Sequence, residues 1–269
     1  MKEITSHSNP IIKQVVRLRE RKERDETHLF LIEGYRELSR ALMGKVPIET
    51  LFIAPEFFLG SNENQLIQDI SSFAEIIRCP PSVFSKMSYR DRPDGLLAVA
   101  KITRRSLDDL SSIIQKSPNP FLVIAESIEK PGNLGSILRS SDGVKVDAVI
   151  VCDPCTDVFN PNVVRASVGT LFTMPVIETT TDLLLPFLHN AKIAILAATP
   201  HAAKEYYHVD MKKPLAIVVG TEQYGLSEKW MKESSLQVRI PMLGIADSLN
   251  VATATTLLLY EVLRQRSFV

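Results

Sequence analysis

The second half of the chain repeats one pattern: four to six apolar residues in a row, closed by a polar or glycine-bearing loop. The runs lie at 121–125, 148–152, 193–198 and 215–219, with a shorter one near 238–240. They are apolar throughout rather than alternating, which suits strands buried on both faces, as in a parallel sheet covered by helices. Spacings of about 20 to 45 residues leave room for crossover helices between parallel neighbours. Shorter runs at 51–54, 75–78 and 96–100 extend the pattern toward the amino terminus. The expected class is α/β, with a mostly parallel sheet.

At 269 residues the chain has room for one large or two modest domains, at about 150 residues each. Turn chemistry over 104–120, with two prolines in Lys116-Ser-Pro-Asn-Pro120, places a boundary there. The expected division is a domain at 1–105, a linker at 106–118 containing a helix at 107–114, and a second domain at 119–269. Equal counts of Lys+Arg and Asp+Glu, 31 each, exclude a uniformly basic coat but not a local basic face. No apolar run nears the roughly 18 residues of a membrane span, and MKEITSHSNP has no apolar signal-peptide centre. Cys79, Cys152 and Cys155 are an odd set that suits a reducing cytoplasm. Cys152-Asp-Pro-Cys155 stands alone, without the further ligands zinc needs, and is expected to be two packed thiols. The pattern requires neither metal nor membrane.

Asn9-Pro10 can start a helix. From there Ile11, Ile12, Val15, Val16 and Leu18 make an apolar face, while Lys13, Arg17, Arg19, Arg21, Lys22 and Arg24 crowd the remainder. A solvated helix would explain that face as well as a phosphate-binding one. A second cluster, Lys86, Arg90, Arg92, Lys101, Arg104 and Arg105, tips the balance toward RNA.

Three loops carry the chemistry. Gly132-Asn133-Leu-Gly135 follows the 121–125 run, with glycines read as a tight turn. Arg139 is expected near the head of the next helix, at the carboxyl edge where open α/β sheets bind ligands. Gly220-Thr-Glu222-Gln-Tyr-Gly225 closes another run. Ile240-Pro-Met242-Leu-Gly-Ile-Ala-Asp247-Ser248-Leu249-Asn250 precedes a final helix that Ser248 or Asp247 could cap, leaving Asn250 in its first turn. Neither the dinucleotide fingerprint nor a phosphate loop is present.

Taken in order, N-L-G-x-x-x-R, G-x-E-x-x-G-L-S and I-P-M-x-G-x-x-x-S-L-N-V resemble the SpoU/TrmH branch of the SPOUT RNA methyltransferases, over about residues 121–265. The second motif departs from the family pattern at Thr221-Glu222-Gln223, where many relatives have Asn-Glu or Ala-Glu followed by glycine; Glu222 is kept. The chain is also similar to the methylases that confer thiostrepton or nosiheptide resistance. Residues 162–169 look like the family segment between its first two motifs. Phe30-Leu-Ile-Glu33-Gly34-Tyr-Arg36-Glu37 resembles, more loosely, an L7Ae/L30e-type RNA-binding domain.

The resemblance implies a trefoil-knotted α/β domain, a homodimer, and transfer of a methyl group from S-adenosylmethionine to an RNA ribose 2′-hydroxyl. It assigns Gly220, Ile240, Met242, Leu249 and Glu222 to the cofactor. Arg139, Asn133, Glu222, Ser248 and Asn250 go to catalysis, with Glu222 expected as the ion-pair partner of Arg139. Lys13, Arg17, Arg21, Arg24, Arg36, Arg90 and Arg165 are the expected RNA contacts. Large-subunit ribosomal RNA is the favoured substrate. Transfer RNA, or a non-catalytic RNA-binding factor on the same scaffold, are the alternatives.

Overall fold

The computed structural model describes residues 2–267. Two compact units emerge. One contains the chain up to Thr103 together with Asp157–Thr173; the other contains Arg104–Thr156 and the chain from Met174 onward. The segment 157–173, expected within the second domain, thus clusters with the first.

In the first unit, strands β1 (Lys2–Glu3), β2 (Leu29–Glu33), β3 (Ile48–Ile53), β4 (Glu75–Arg78) and β5 (Leu96–Lys101) form a mixed sheet in the order β1-β4-β3-β5-β2. Strand β5 runs antiparallel to both of its neighbours. Helices α1 (Pro10–Arg17), α2 (Arg21–Thr27), α3 (Tyr35–Met43), α4 (Glu63–Ser71) and α5 (Pro81–Met87) surround it. Asn9 starts α1 as expected: its side chain accepts from the Ile11 N–H at 2.9 Å, with Pro10 in the first turn. The inner face of α1, Ile12 and Val15, packs with Phe52, Phe84 and Met87 in the core.

The basic helix expected to run on through Arg24 breaks after Arg17, and Arg24 is the reason. Its Nη1 donates to the carbonyls of Leu18 and Arg19 at 2.8 and 2.7 Å, satisfying groups that the end of α1 leaves open. Its Nε donates to Asp157 Oδ2 at 2.6 Å, with both side chains almost fully buried. Arg24 is a structural brace, and the assignment of this residue to RNA is corrected.

The second unit is a seven-stranded sheet: β6 (Phe121–Glu126), β7 (Ala148–Cys152), β8 (Val176–Thr179), β9 (Ala194–Ala198), β10 (Lys204–Glu205), β11 (Leu215–Val219) and β12 (Leu236–Arg239). Their order is β10-β12-β9-β11-β6-β7-β8, and every pairing is parallel. Helices α6 (Leu107–Ile114), α7 (Pro131–Gly143), α9 (Thr181–Asn190), α10 (Glu228–Glu233) and α11 (Val251–Ser267) belong here, while α8 (Pro161–Ala166) lies in the first unit. Ser106 and Asp109 form a reciprocal capping box at the start of α6. Leu110 of that helix is buried in the second unit's core. Trp230 is fully buried there too, its indole N–H donating to Thr181 Oγ1 at 3.0 Å. Cys152 is buried, and burial pushes its thiol up to about 12.

Because all seven strands run the same way, their carboxyl ends share one edge. Strands β6 and β11 are direct neighbours, Ala125 beside Val219. The first two motif loops therefore leave the sheet side by side.

Candidate active site

The first motif is helical where a turn was expected. Pro131 opens α7 and both Gly132 and Gly135 lie inside the helix, Gly132 facing open space. This puts Asn133 in the first turn, next to the sheet edge.

Glycine is required in the second motif. Thr221 and Gly225 exchange two backbone hydrogen bonds, both 3.0 Å, closing a tight loop that holds Glu222 near its tip. Gly225 supplies the left-handed φ of +68°. A Cβ on Gly220 would stand 2.5 Å from the Gly225 carbonyl carbon, 2.7 Å from Leu226 N, and nearer still to the Gly225 oxygen. No side chain fits there.

In the third motif the cap falls on Asn250, not on Ser248 or Asp247. Its Oδ1 accepts from the Ala252 N–H at 3.0 Å, and the helix starts at Val251. Ser248 is exposed and makes no hydrogen bond among the described residues. Capping through Oδ1 leaves the Asn250 amide nitrogen to point elsewhere, and it does.

Glu222 collects all three motifs. Its Oε1 accepts from Asn133 Nδ2 and from Asn250 Nδ2, each at 2.7 Å. Asn250 Nδ2 also lies 3.1 Å from Asn133 Oδ1. The other carboxylate oxygen pairs with the Lys130 ammonium. That hydrogen bond from Lys130, helped by the two amides, holds the Glu222 carboxyl below its ordinary value and raises the Lys130 ammonium above its own. A hollow lined by Ile128, Lys130, Asn133, Thr221, Glu222 and Val251 opens over this cluster. Lys130 was not singled out in the sequence. Its signal was a lone cation directly before the proline that starts α7, a place from which it reaches back over the sheet edge.

The expected Arg139–Glu222 ion pair is not formed. Arg139 lies in the third turn of α7, not at its head. At 1.5 Å and 100° per residue it is about 9 Å further along than Asn133 and about a third of a turn around the axis. It is exposed, its side chain making no hydrogen bond or ion pair among the described residues.

Ile240, Met242 and Leu249 are half-buried, while Leu243 and Ile245 are fully exposed. Residues 241–249 make no backbone hydrogen bond within the described chain. Of the expected RNA contacts, Lys13, Arg17, Arg36 and Arg165 are exposed. Arg21 is exposed but paired with Asp25 at 3.5 Å. Arg90 faces mostly inward, its Nη2 donating to the Glu33 carbonyl at 2.7 Å and to Glu37 at 2.8 Å.

Comparison with known proteins follows the same division. Residues 120–260 match the model of the SpoU rRNA Methylase family. The chain belongs to that family. Residues 9–98 match the MRM3-like substrate binding domain. A 23S rRNA (uridine(2479)-2′-O)-methyltransferase of Streptomyces viridochromogenes is 30% identical over 91% of this chain and 86% of its own. A crystal structure of an RNA 2′-O ribose methyltransferase superposes with a TM-score of 0.87 at 38% identity, covering 99% of this chain and 100% of that one. An AdoMet-bound rRNA methyltransferase from Sinorhizobium meliloti gives 0.88 at 30% identity, over 98% and 97%. The family's α/β fold with a mostly parallel sheet, an amino-terminal substrate-binding domain and S-adenosylmethionine as cofactor are thereby shown for this chain.

Proposed function

We propose that this chain methylates a ribose 2′-hydroxyl of large-subunit ribosomal RNA, using S-adenosylmethionine and working as a homodimer in the cytoplasm. One observation carries the reading: Glu222 ties Asn133, Asn250 and Lys130 into a single cluster at the carboxyl edge of a parallel sheet.

The residues around the third motif fit the cofactor. Backbone groups of 241–249 have no backbone partners among the described residues, and so remain available for the polar edge of an adenine. Ile240, Met242 and Leu249 offer half-exposed apolar surface for its faces. Gly220 and the loop it closes, together with the 240–250 segment, would hold it and form the threaded part of the trefoil. When bound, S-adenosylmethionine supplies an electrophilic methyl group.

The protein's own task is then alignment and charge management. The Glu222 cluster sets the relative positions of α7, the 221–225 loop and the start of α11. Arg139, exposed and uncommitted, suits an RNA phosphate or the charge developing on the 2′-oxygen. A guanidinium, which keeps its proton in proteins, is no general base. Leu257, Tyr260 and Leu263 form an exposed apolar stripe on α11, which supports pairing with a second copy. Lys13, Arg17, Arg21, Arg36 and Arg165 are the cations offered to RNA, with Ser248 beside the ribose.

The test is transfer of a labelled methyl group to purified ribosomal RNA, with the product mapped as 2′-O-methylribose. Wild type should label 23S RNA and Glu222→Ala should not. Labelling of transfer RNA alone would overturn the substrate, and failure of wild type to bind S-adenosylhomocysteine would overturn the chemistry.

A further inference from the structure

The first unit has a cavity of about 410 Å³ that no motif accounts for. It is of the size that small-molecule clefts take, roughly 300–1,000 Å³. Tyr35 and Arg36 line it from the first turn of α3, Leu59 from the loop leading into α4, Glu63 from the start of α4, and Arg90 and Asp94 from the turn before β5.

Its polar atoms are unusual. Six side-chain atoms among the described residues are buried without a hydrogen-bond partner, and three of them, Glu63 Oε2, Asp94 Oδ1 and Arg90 Nε, belong to residues lining this cavity. Native proteins keep few such atoms, because each forfeits its hydration for nothing. Both carboxylates are rigidly held by their other oxygen. Glu63 Oε1 accepts from the N–H groups of Leu59 and Gly60 at 3.1 and 3.0 Å. Asp94 Oδ2 accepts from the Tyr35 N–H at 3.0 Å, with Arg90 Nη1 at 3.6 Å. Glu63 and Asp94 are both more than nine-tenths buried. Two carboxylates with a spare oxygen thus belong to residues that line one cavity, and Arg36 stands exposed and unpaired among the same lining residues.

We propose that this cavity binds an unstacked guanine of the RNA substrate. Spare carboxylate oxygens require N–H donors, and the Watson–Crick edge of guanine carries three N–H bonds on adjacent nitrogens. Uracil has one such bond, and adenine and cytosine have two on a single amino group. Sequence-specific RNA recognition works on splayed-out bases read at these edges and stacked on side chains. Tyr35 and the exposed Leu59 supply faces for the ring, and Arg36 supplies a cation for the guanine O6 or the adjoining phosphate. The proposal rests on RNA being the substrate, and it adds a base-reading function to the substrate-binding domain, separate from the cofactor cluster.

The experiment measures binding of the full-length protein to four labelled heptaribonucleotides, UUUNUUU with each base at N, at one fixed salt concentration. Wild type should hold the guanine oligonucleotide at least tenfold tighter than the uridine one. Glu63→Gln preserves shape and the acceptor for Leu59 and Gly60 but turns the spare oxygen into an amide donor; it should erase that preference while leaving S-adenosylhomocysteine affinity unchanged. Asp94→Asn, the second variant, should act the same way and serves if Glu63→Gln does not fold. Equal affinity of wild type for all four oligonucleotides, or an undiminished guanine preference in a folded variant, overturns the proposal. A wild type that prefers guanine yet methylates no ribosomal RNA leaves the pocket standing and refutes the methyltransferase reading instead.

Discussion

Replacing Gly220 with alanine tests whether the second motif is built for a ligand. The added methyl meets backbone rather than a flexible side chain: the Gly225 carbonyl carbon at 2.5 Å and Leu226 N at 2.7 Å. Neither can move without parting Thr221 from Gly225, whose two 3.0 Å hydrogen bonds close the loop. Each bond contributes about 1 kcal/mol net, and residual crowding adds up to about 1 kcal/mol more, within the usual range for overpacking. A loss of roughly 2–3 kcal/mol corresponds to about 30- to 150-fold in affinity. Calorimetric titration with S-adenosylhomocysteine should show that weakening while circular dichroism stays native. Gly225→Ala is the internal control. Its Cβ would meet nothing within 4 Å, and only the left-handed φ of +68° opposes it, at about 1–2 kcal/mol. The order of severity should therefore be Gly220 over Gly225. Affinity of Gly220→Ala within threefold of wild type would refute the reasoning, because the closed loop would then be irrelevant to the cofactor.

Other perturbations follow from the same contacts. Arg24→Met leaves Asp157 charged and buried without its partner, so urea unfolding should show a loss of about 3–5 kcal/mol; a loss under about 1 kcal/mol contradicts the brace. Arg139→Ala should keep S-adenosylhomocysteine affinity within about twofold and lower methyl transfer at least about a hundredfold. Joint loss of binding and transfer would make Arg139 a structural residue. Lys13→Ala with Arg17→Ala should flatten the log–log salt dependence of RNA binding by about 1.4–1.8, and an unchanged slope removes that face from the interface. Glu222 is held below its ordinary carboxyl value of 4.5 by Lys130 first. The cluster it organises is therefore intact above that value and lost only as pH falls through the depressed one. Cofactor affinity should stay level down to about pH 5, and Lys130→Met should move the decline to higher pH; a wild-type decline already centred above 4.5 would contradict the pairing.

What the sequence made legible was what depends on short-range pattern. The apolar runs at 148–152 and 215–219 are β7 and β11 to the residue, since a strand buried on both faces has few ways to be polar. The helix over 107–114 was visible from Ser106 and the turn residues beyond it, and the capping box confirms the mechanism. Strands β8 and β10 were missed because they are short and lie at the sheet edges, where one side needs no apolar cover. Strand β2 was missed because its Glu33 looks like a terminator; the residue is in fact buried, accepting from Ser88 Oγ and the Tyr89 N–H at 2.5 and 2.7 Å. Arg24 shows the other limit. Six cations around one apolar face give no hint of which one will turn inward, because its partner, Asp157, lies 133 residues away.

The same limit changes how the site works. A carboxylate paired with Arg139 would have spent the family arginine on holding the pocket together. Here Lys130, Asn133 and Asn250 satisfy Glu222, and its low pKa makes it a poor acceptor for the proton of a sugar hydroxyl. On the proposed function the carboxylate would act as an organising anion, leaving the guanidinium on the next face of α7 to meet a negative charge brought by the substrate. On the same proposal, proton removal would fall to solvent or to the RNA itself, and Arg139 would stabilise the oxygen as charge builds. Such an arrangement predicts that lysine at 139 keeps part of the rate, since a point cation retains the attraction but not the bidentate geometry, whereas glutamine at 222 weakens binding and transfer together.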